Sequence, residues 1–203
     1  MLEQQSPITE PDVKGHRQRL LDAMAKCIVN TGFARATVAD VVRVAATSRR
    51  TFYQHFGDLE DCLMALYSES VQTIIKAIRR AIDPDAPGDE QIRAAVQAWI
   101  DACDEQPALT SALTRDFAGL GPKSWALHFQ LAEDYRDLIQ HLTDTKQLHA
   151  PDPAQTSSLR IVMLLGALNE LLTFTVHQGI PLQDMADEAV AVATVMLGTP
   201  RQG

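Results

Sequence analysis

Cysteine is scarce in this chain of 203 residues, which contains only three copies. The number is odd and no C-x-x-C pair occurs, so the sequence suggests neither a disulfide framework nor a zinc ribbon. An isolated cysteine usually behaves as a small apolar residue. We therefore expect Cys27, Cys62 and Cys103 to be reduced and buried.

Motifs that carry catalysis or bind cofactors are also lacking. The sequence holds no Gly-rich phosphate loop, no G-x-S-x-G and no H-E-x-x-H. His141, Asp144 and His149 are near each other in sequence, but without the tight spacing of a zinc site they indicate a surface loop. The sequence thus predicts a protein that is not an enzyme, with no cofactor, metal or catalytic residue.

Long apolar runs are missing as well. No basic region precedes an apolar run at the N-terminus, so no signal peptide is predicted. The longest apolar run, residues 161–168, is too short to span a bilayer. These features predict a cytoplasmic protein without a membrane partner.

Charge is distributed unevenly along the chain. The net charge is -8, yet residues 1–57 carry eight Lys/Arg and five Asp/Glu, whereas residues 58–203 carry ten and 21. A basic head on an acidic body is typical of a protein that touches DNA at one end. Ordinary scatter in the charge of a small domain is the alternative explanation.

Residues 37–56, TVADVVRVAATSRRTFYQHF, read as two short helices with a tight connection. Thr37 followed by Asp40 is a capping-box type of helix start. An apolar stripe then recurs at i, i+3, i+4 and i+7, formed by Val38, Val41, Val42 and Ala45. Ser48 is a good N-cap for the second helix.

The second helix of this pair predicts a surface that contacts nucleic acid. Phe52 and Phe56 share one face, which leaves polar and cationic side chains pointing outward. Arginine can bond guanine in two places, and hydroxyl or imidazole groups can donate to phosphates. We predict that Arg49, Arg50 and Thr51 contact bases and that Thr37, Tyr53 and His55 contact phosphates. We also predict that Ser48 both caps the helix and contacts DNA. A solvated basic turn is the alternative.

This segment resembles the helix-turn-helix signature of the TetR family of bacterial transcriptional regulators. The matching positions are Thr37, Asp40, Val41, Ala45, Ser48, Thr51, Tyr53, Phe56 and Leu63, with the Phe33 loop just upstream. Two positions depart from the family pattern. Ala46 replaces the usual turn glycine, and Leu59 replaces a lysine that would contact phosphate.

The rest of the chain predicts helices throughout. We expect an all-α protein with a loose arm at residues 1–12, a DNA-binding domain at 1–57 and a helical effector-binding and dimerisation domain at 58–203. Periodicity and turn residues predict helices at residues 13–31, 59–82, 91–104, 107–117, 122–143, 154–178 and 182–197.

The last two predicted helices indicate a homodimer. Residues 161–172 are apolar nearly all the way round, so this helix must be covered on more than one side. The final helix is rich in small residues that permit close approach. A four-helix bundle across a twofold axis would bury both helices, as the resemblance also implies. A central core helix of a monomer is the alternative.

The resemblance also implies a pocket for a small molecule in the body. Aromatic and apolar walls with a few polar groups would suit an apolar or aromatic effector. The candidate residues are Tyr67, Trp99, Phe117, Trp125, Phe129, Met163, Asn169 and Phe174, with Arg115, His128 and His177 as further polar partners. An ordinary helical core explains the same residues.

Together these features predict a transcriptional repressor that responds to a ligand. It would bind a near-palindromic operator as a homodimer, and a small hydrophobic effector would release it from the DNA. One rival is a DNA-binding regulator of the same fold controlled by a protein partner. Another is a helical enzyme or binding module whose helix pair is coincidental.

Overall fold

Helices make up all the regular secondary structure in the part of the chain that the structure, a computed structural model, describes: residues 10–144 and 158–197. The α-helices are α1 Glu10–Thr31, α2 Val38–Val44, α3 Arg49–His55, α4 Leu59–Ala81, α5 Gly88–Asp104, α6 Pro107–Phe117, α7 Pro122–Asp144, α8 Ser158–Gln178 and α9 Ala186–Leu197. Short 3-10 turns occupy Phe33–Arg35, Ala118–Leu120 and Leu182–Met185. The predicted all-α class is confirmed.

The chain divides into two compact units, Met1–Tyr67 and Ser68–Gly203. The division falls within α4, whereas the predicted domain boundary between residues 57 and 58 lies at the start of that helix. Residues 59–67 of α4, about two and a half turns, belong to the first unit, and Cys62, Leu63 and Leu66 among them are buried.

The first unit is built around the buried face of α1, which packs against α2 and α3. Four residues of this face are completely buried: Leu20, Leu21, Met24 and Ile28. Gly32 ends the helix, with φ 75° and an N–H that donates to the Ile28 carbonyl at 2.9 Å. Phe33, the first residue of the 3-10 turn that follows, is half-buried.

The N-terminal boundary of α1 corrects the predicted arm. The helix begins at Glu10, so residues 10–12 are helical, and residues 1–9 lie outside the described part. Pro11 is compatible with this start because the first N–H groups of a helix have no intrahelical partner.

The second unit packs α8 against α6, α7 and α9, and α9 against α5. Ala189 and Ala193 are buried on α9, where small side chains allow helices to approach closely. The last predicted helix is not α-helical from its start, since Leu182–Met185 forms a 3-10 turn before α9 begins. Residues 154–157 of the predicted penultimate helix lie outside the described residues.

Helix α8 is apolar on its exposed side as well as its buried one. Ile161 and Leu164 are buried, whereas Met163 is 55% exposed and Leu159 71%. By length and composition alone, Leu159–Gln178 could cross a membrane, with mean hydropathy 1.6 and 22% of the window buried. The uninterrupted apolar run at residues 161–168 therefore gave too short an estimate of the apolar part of this helix. Such a helix also fits a soluble protein whose exposed face is covered by another chain.

All three cysteines are buried and unpaired, as predicted. Burial raises the pKa of the Cys62 and Cys103 thiols to about 12. These thiols therefore stay protonated at neutral pH and offer no reactive thiolate.

Candidate nucleic-acid interface

The start of α2 is fixed by a reciprocal pair of side-chain hydrogen bonds. The Asp40 N–H donates to Thr37 Oγ1 at 3.2 Å, and the Thr37 hydroxyl donates to Asp40 Oδ2 at 2.5 Å. Arg43 also donates to Asp40, at 3.1 Å. The Thr37 hydroxyl, followed by Arg43, holds the pKa of the Asp40 carboxyl below its usual value. Thr37, which was predicted to contact phosphate, is exposed.

The turn between α2 and α3 forces an alanine into a left-handed conformation. Ala46 has φ 49°, with its N–H donating to Arg43 O at 3.3 Å, and the Thr47 N–H donates to Val42 O at 2.9 Å. These two bonds form a Schellman motif, in which the left-handed position is usually glycine. This is the position where the family pattern has glycine, so the departure at Ala46 leaves local backbone strain.

Ala46→Gly is therefore expected to stabilise the first unit by about 0.5–1 kcal/mol. Relief of the left-handed strain, about 1–2 kcal/mol, exceeds the entropy that glycine adds to the unfolded chain. Urea denaturation followed by far-UV circular dichroism measures the change. Ala45→Gly is the matched control, because Ala45 is buried with φ -74° and should be destabilised by glycine. A lower urea midpoint for Ala46→Gly than for the unmodified chain would show that Ala46 is not strained.

The start of α3 is capped by Ser48, as the sequence predicts. The Thr51 N–H donates to Ser48 Oγ at 3.0 Å, and the Ser48 and Thr51 hydroxyls lie 2.8 Å apart in a hydrogen bond. This second bond was not foreseen, and it engages the hydroxyl that was predicted to read a base. Either hydroxyl can be the donor in this bond, so Thr51 keeps its methyl group and at least one lone pair to offer to DNA.

The opposite face of α3 anchors the helix in the first unit. Phe52 is completely buried, and its ring centroid lies 5.4 Å from that of Tyr53 and 5.6 Å from that of Phe56. The Arg17 guanidinium from α1 sits 5.7 Å from the centre of the Phe56 ring. A seven-residue helix needs such packing because it is too short to be stable alone.

The outward face of α3 carries the cations. Arg49 and Arg50 are exposed and form no ion pair within the described part of the chain, and Tyr53 is 58% exposed. Gln54, an adenine-compatible side chain omitted from the predicted set, is also exposed and lies one turn after Arg50. Gln54 follows Arg50 by four residues and so lies on the same face of the helix, and this spacing could have placed it among the predicted DNA contacts.

His55 lies in the last turn of α3 with a lowered pKa. Burial is the largest cause, followed by the nearby charges of His16 and Arg17. A neutral imidazole has one N–H to donate, which suffices for a phosphate oxygen.

The predicted ligand residues are spread over the second unit and the end of the first. Trp99 and Phe117 are buried, and Tyr67, the last residue of the first unit, is half-buried. The other five are exposed: Trp125, Phe129, Met163, Asn169 and Phe174. The Trp125 and Phe129 rings neighbour each other on α7, with centroids 6.4 Å apart.

Among the further polar partners, Arg115 is bonded to Asp116 at 2.9 Å and His177 is exposed, while the His128 side chain lies outside the described atoms. Within the described residues no group of His, Cys, Asp or Glu could hold a metal ion. The His141, Asp144 and His149 side chains are not in that part.

A surface groove of about 580 Å³ in the second unit runs between α5 and α9. It is lined by Glu90, Arg93, Ala94, Gln97, Gln183, Asp184, Ala186, Asp187 and Val190, and thus by none of the predicted ligand residues. Its polar groups bond one another: Arg93 pairs with Asp187 at 3.2 Å, and Gln97 donates to Gln183 at 2.7 Å.

The helix-turn-helix and the whole fold both have relatives. Residues 20–66 match the family described as "Bacterial regulatory proteins, tetR family". The HTH-type transcriptional activator FasR of Mycolicibacterium smegmatis is 27% identical over 85 residues, which are 42% of this chain. The matched stretch spans 39% of that relative's length.

Two solved structures share the fold over nearly the full length. The fatty acid degradation regulator FadR from Bacillus halodurans has a TM-score of 0.72 at 19% identity, with 98% of this chain and 99% of that one covered. FadR from Bacillus subtilis, solved in complex with stearoyl-CoA, has a TM-score of 0.70 at 16% identity, with 91% and 99% covered. Residues 20–66 therefore carry the signature of the tetR family of bacterial regulatory proteins, within a fold that these two solved structures share over almost the whole chain.

Proposed function

We propose that this chain is a transcriptional repressor that binds a near-palindromic DNA operator as a homodimer and releases it when a hydrophobic effector binds. One observation carries the proposal. The buried Phe52 ring packs α3 against the core of the first unit, while Arg49 and Arg50 are exposed and have no carboxylate partner among the described residues. Unpaired arginines on a short capped helix suit a groove lined with phosphates and base edges.

The apolar face of α8 and α9 supports the homodimer. Its exposed members are Leu159, Val162, Met163, Phe174 and Val176 on α8, and Val192 and Val195 on α9. Exposed apolar side chains concentrated on two neighbouring helices favour an interaction site. A second copy of the same two helices would cover it as a four-helix bundle with twofold symmetry.

The effector we propose is a long-chain acyl thioester. One protein with this fold is described as a fatty acid degradation regulator, and another, the transcriptional regulator FadR from Bacillus subtilis, was solved with stearoyl-CoA. The exposed pair Trp125–Phe129 and the buried Trp99 and Phe117 would supply apolar walls for such a chain. To release the operator, the effector would need only to bind more tightly to one position of α4 than to another. A coupling free energy of about 1–3 kcal/mol is typical of such regulation.

Selection of bound sequences from a random DNA pool tests the function. We expect an inverted repeat whose half-sites lie about 34–36 Å apart, because two recognition helices on a twofold axis enter successive major grooves. Binding should weaken steeply with salt, since each phosphate contact releases a counterion. Stearoyl-CoA, compared with free CoA, should release the selected operator.

Each arm of this experiment has a contradicting outcome. If no sequence is enriched from the pool, the chain does not bind DNA specifically, and the alternative of a helical binding module is favoured. An asymmetric motif would remove the symmetric dimer. Operator binding that is indifferent to stearoyl-CoA would remove the proposed effector class. Because FasR carries the name of an activator, a reporter gene behind the selected operator decides the sign of control.

A further inference from the structure

A glycine lies near the middle of the exposed face of α8. Gly166 is exposed within Ser158–Gln178, and a Cβ added to it would meet nothing within 4 Å apart from its chain neighbours and the backbone of its own helix. Glycine in a helix interior weakens the helix relative to alanine. Packing within the described part of this chain does not require a residue without a side chain here, whereas close approach of a second backbone does.

Large apolar side chains flank this glycine along the helix. Leu159 and Met163 precede it and Phe174 follows it, and 71%, 55% and 49% of their surface is exposed. At 3.6 residues per turn, the four positions lie within about 80° of one another around the helix axis. The face therefore has a depression at Gly166 between apolar side chains, a shape that admits a second helix.

Two opposite charges lie on either side of the glycine. Glu170 lies within the same arc of α8 and Arg160 about 40° outside it, close enough for the long arginine side chain to reach back over the face. Both residues are exposed, and neither forms an ion pair within the described part of the chain. They are ten residues apart, about 15 Å along the helix, so they cannot bond each other.

The positions of these charges favour one orientation of a second α8. In an antiparallel pair with a twofold axis at residue 165, residue 160 of each helix meets residue 170 of the other, since both are five residues from the axis. Gly166 is then one residue from the crossing point. A parallel pair would instead place Arg160 beside Arg160 and Glu170 beside Glu170, where like charges repel.

We propose that α8 crosses the α8 of a second copy at Gly166 in antiparallel orientation, with Arg160 of each copy bonded to the partner's Glu170. This inference rests on the homodimer of the proposed function and specifies how the exposed face selects its partner. The apolar contact supplies most of the affinity, while the two ion pairs at its rim fix the orientation and reject chains with another charge pattern.

Charge reversal on separate chains tests the pairing. In homodimers of Arg160→Glu or of Glu170→Arg both pairs repel, whereas in the mixed dimer of the two variants both pairs attract. The two variants are co-expressed with tags of different mass, and native mass spectrometry measures the three dimers. We expect the mixed dimer to form about nine-tenths of the total, a preference of about 10-fold, where random assortment gives about half.

Lys76→Glu and Glu105→Arg provide the matched control for this experiment. Both residues are exposed in the second unit, on α4 and just after α5, so the variants change the net charge of each chain equally without altering α8 or α9. Co-expressed, they should assort at random. A mixed dimer enriched in this control as well would show that net charge alone sorts the chains and would overturn the specific pairing.

Gly166→Leu tests the crossing point. A leucine there occupies the space that the second backbone needs, so self-association measured by sedimentation equilibrium should weaken about 10-fold or more. Far-UV circular dichroism should show unchanged helix content, since leucine favours a helix and meets nothing in its own chain. Gly15→Leu is the matched control, because Gly15 is an exposed glycine of α1 with equally open surroundings and should not affect association.

The outcomes separate the crossing from the dimer that it presupposes. If the unmodified chain sediments as a monomer at micromolar concentration, the homodimer of the proposed function fails. If it is a dimer, but the mixed dimer of the α8 variants stays at half or below, or Gly166→Leu associates as strongly as Gly15→Leu, the crossing at Gly166 is wrong and the homodimer stands.

Discussion

Phe52→Ala is expected to lower the free energy of unfolding of the first unit by about 3–5 kcal/mol. The ring is completely buried and contacts the rings of Tyr53 and Phe56, so its removal leaves a cavity in a three-helix core. A unit of this size has little stability to lose. We therefore expect much of α3 to be unfolded in the variant at physiological temperature, with operator binding lost as a consequence.

The two tryptophans allow this loss to be located. Trp99 and Trp125 both lie in the second unit, so tryptophan fluorescence reports on that unit, whereas far-UV circular dichroism reports on helices in both. The dichroism signal should fall at a lower temperature in Phe52→Ala than in the unmodified chain. Phe52→Leu is the matched control and should lose much less stability because it keeps most of the buried volume. Identical melts for all three chains would show that Phe52 does not anchor the helix.

Arg50→Ala is expected to weaken specific operator binding by about 1–3 kcal/mol in each half-site, with sequence preference relaxed at one base pair. The arginine is exposed near the start of α3, where the N-terminal residues of a recognition helix contact base edges. Arg50→Lys should keep binding to phosphates but lose the two-point bond to guanine, so affinity for unrelated DNA should persist while specificity falls.

Selection from the random pool, repeated with each variant, measures both effects. Arg79→Ala is the control, since this exposed arginine lies in the second unit near the end of α4 and its loss should leave the selected motif unchanged. If Arg50→Ala selects the same motif with the same affinity as the unmodified chain, Arg50 does not read a base.

Local chemistry made much of the first unit predictable. Thr37 and Ser48 cap their helices and Gly32 ends α1 because caps depend on residues within one turn. The start of α1 was placed too late because the polar residues before Val13 carry no apolar periodicity. The 3-10 turn before α9 escaped prediction because its pattern differs little from that of a first helical turn.

The candidate site was predictable to the extent that it is local. The outward direction of Arg49 and Arg50 follows from the spacing of Phe52 and Phe56 on one short helix. Engagement of the Thr51 hydroxyl by Ser48 did not follow, because a hydroxyl can rotate toward either backbone or side-chain partners.

By itself, the sequence determined the helical class, the capped helix pair and the basic head, since each depends on residues close together in the chain. Only the tertiary structure decided that Ala46 is left-handed, that Trp125 and Phe129 are exposed while Trp99 and Phe117 are buried, and that Gln72 meets Asp134. These features depend on which helix faces meet across long stretches of chain. A helical period shows that a face is apolar, but not which surface will cover it.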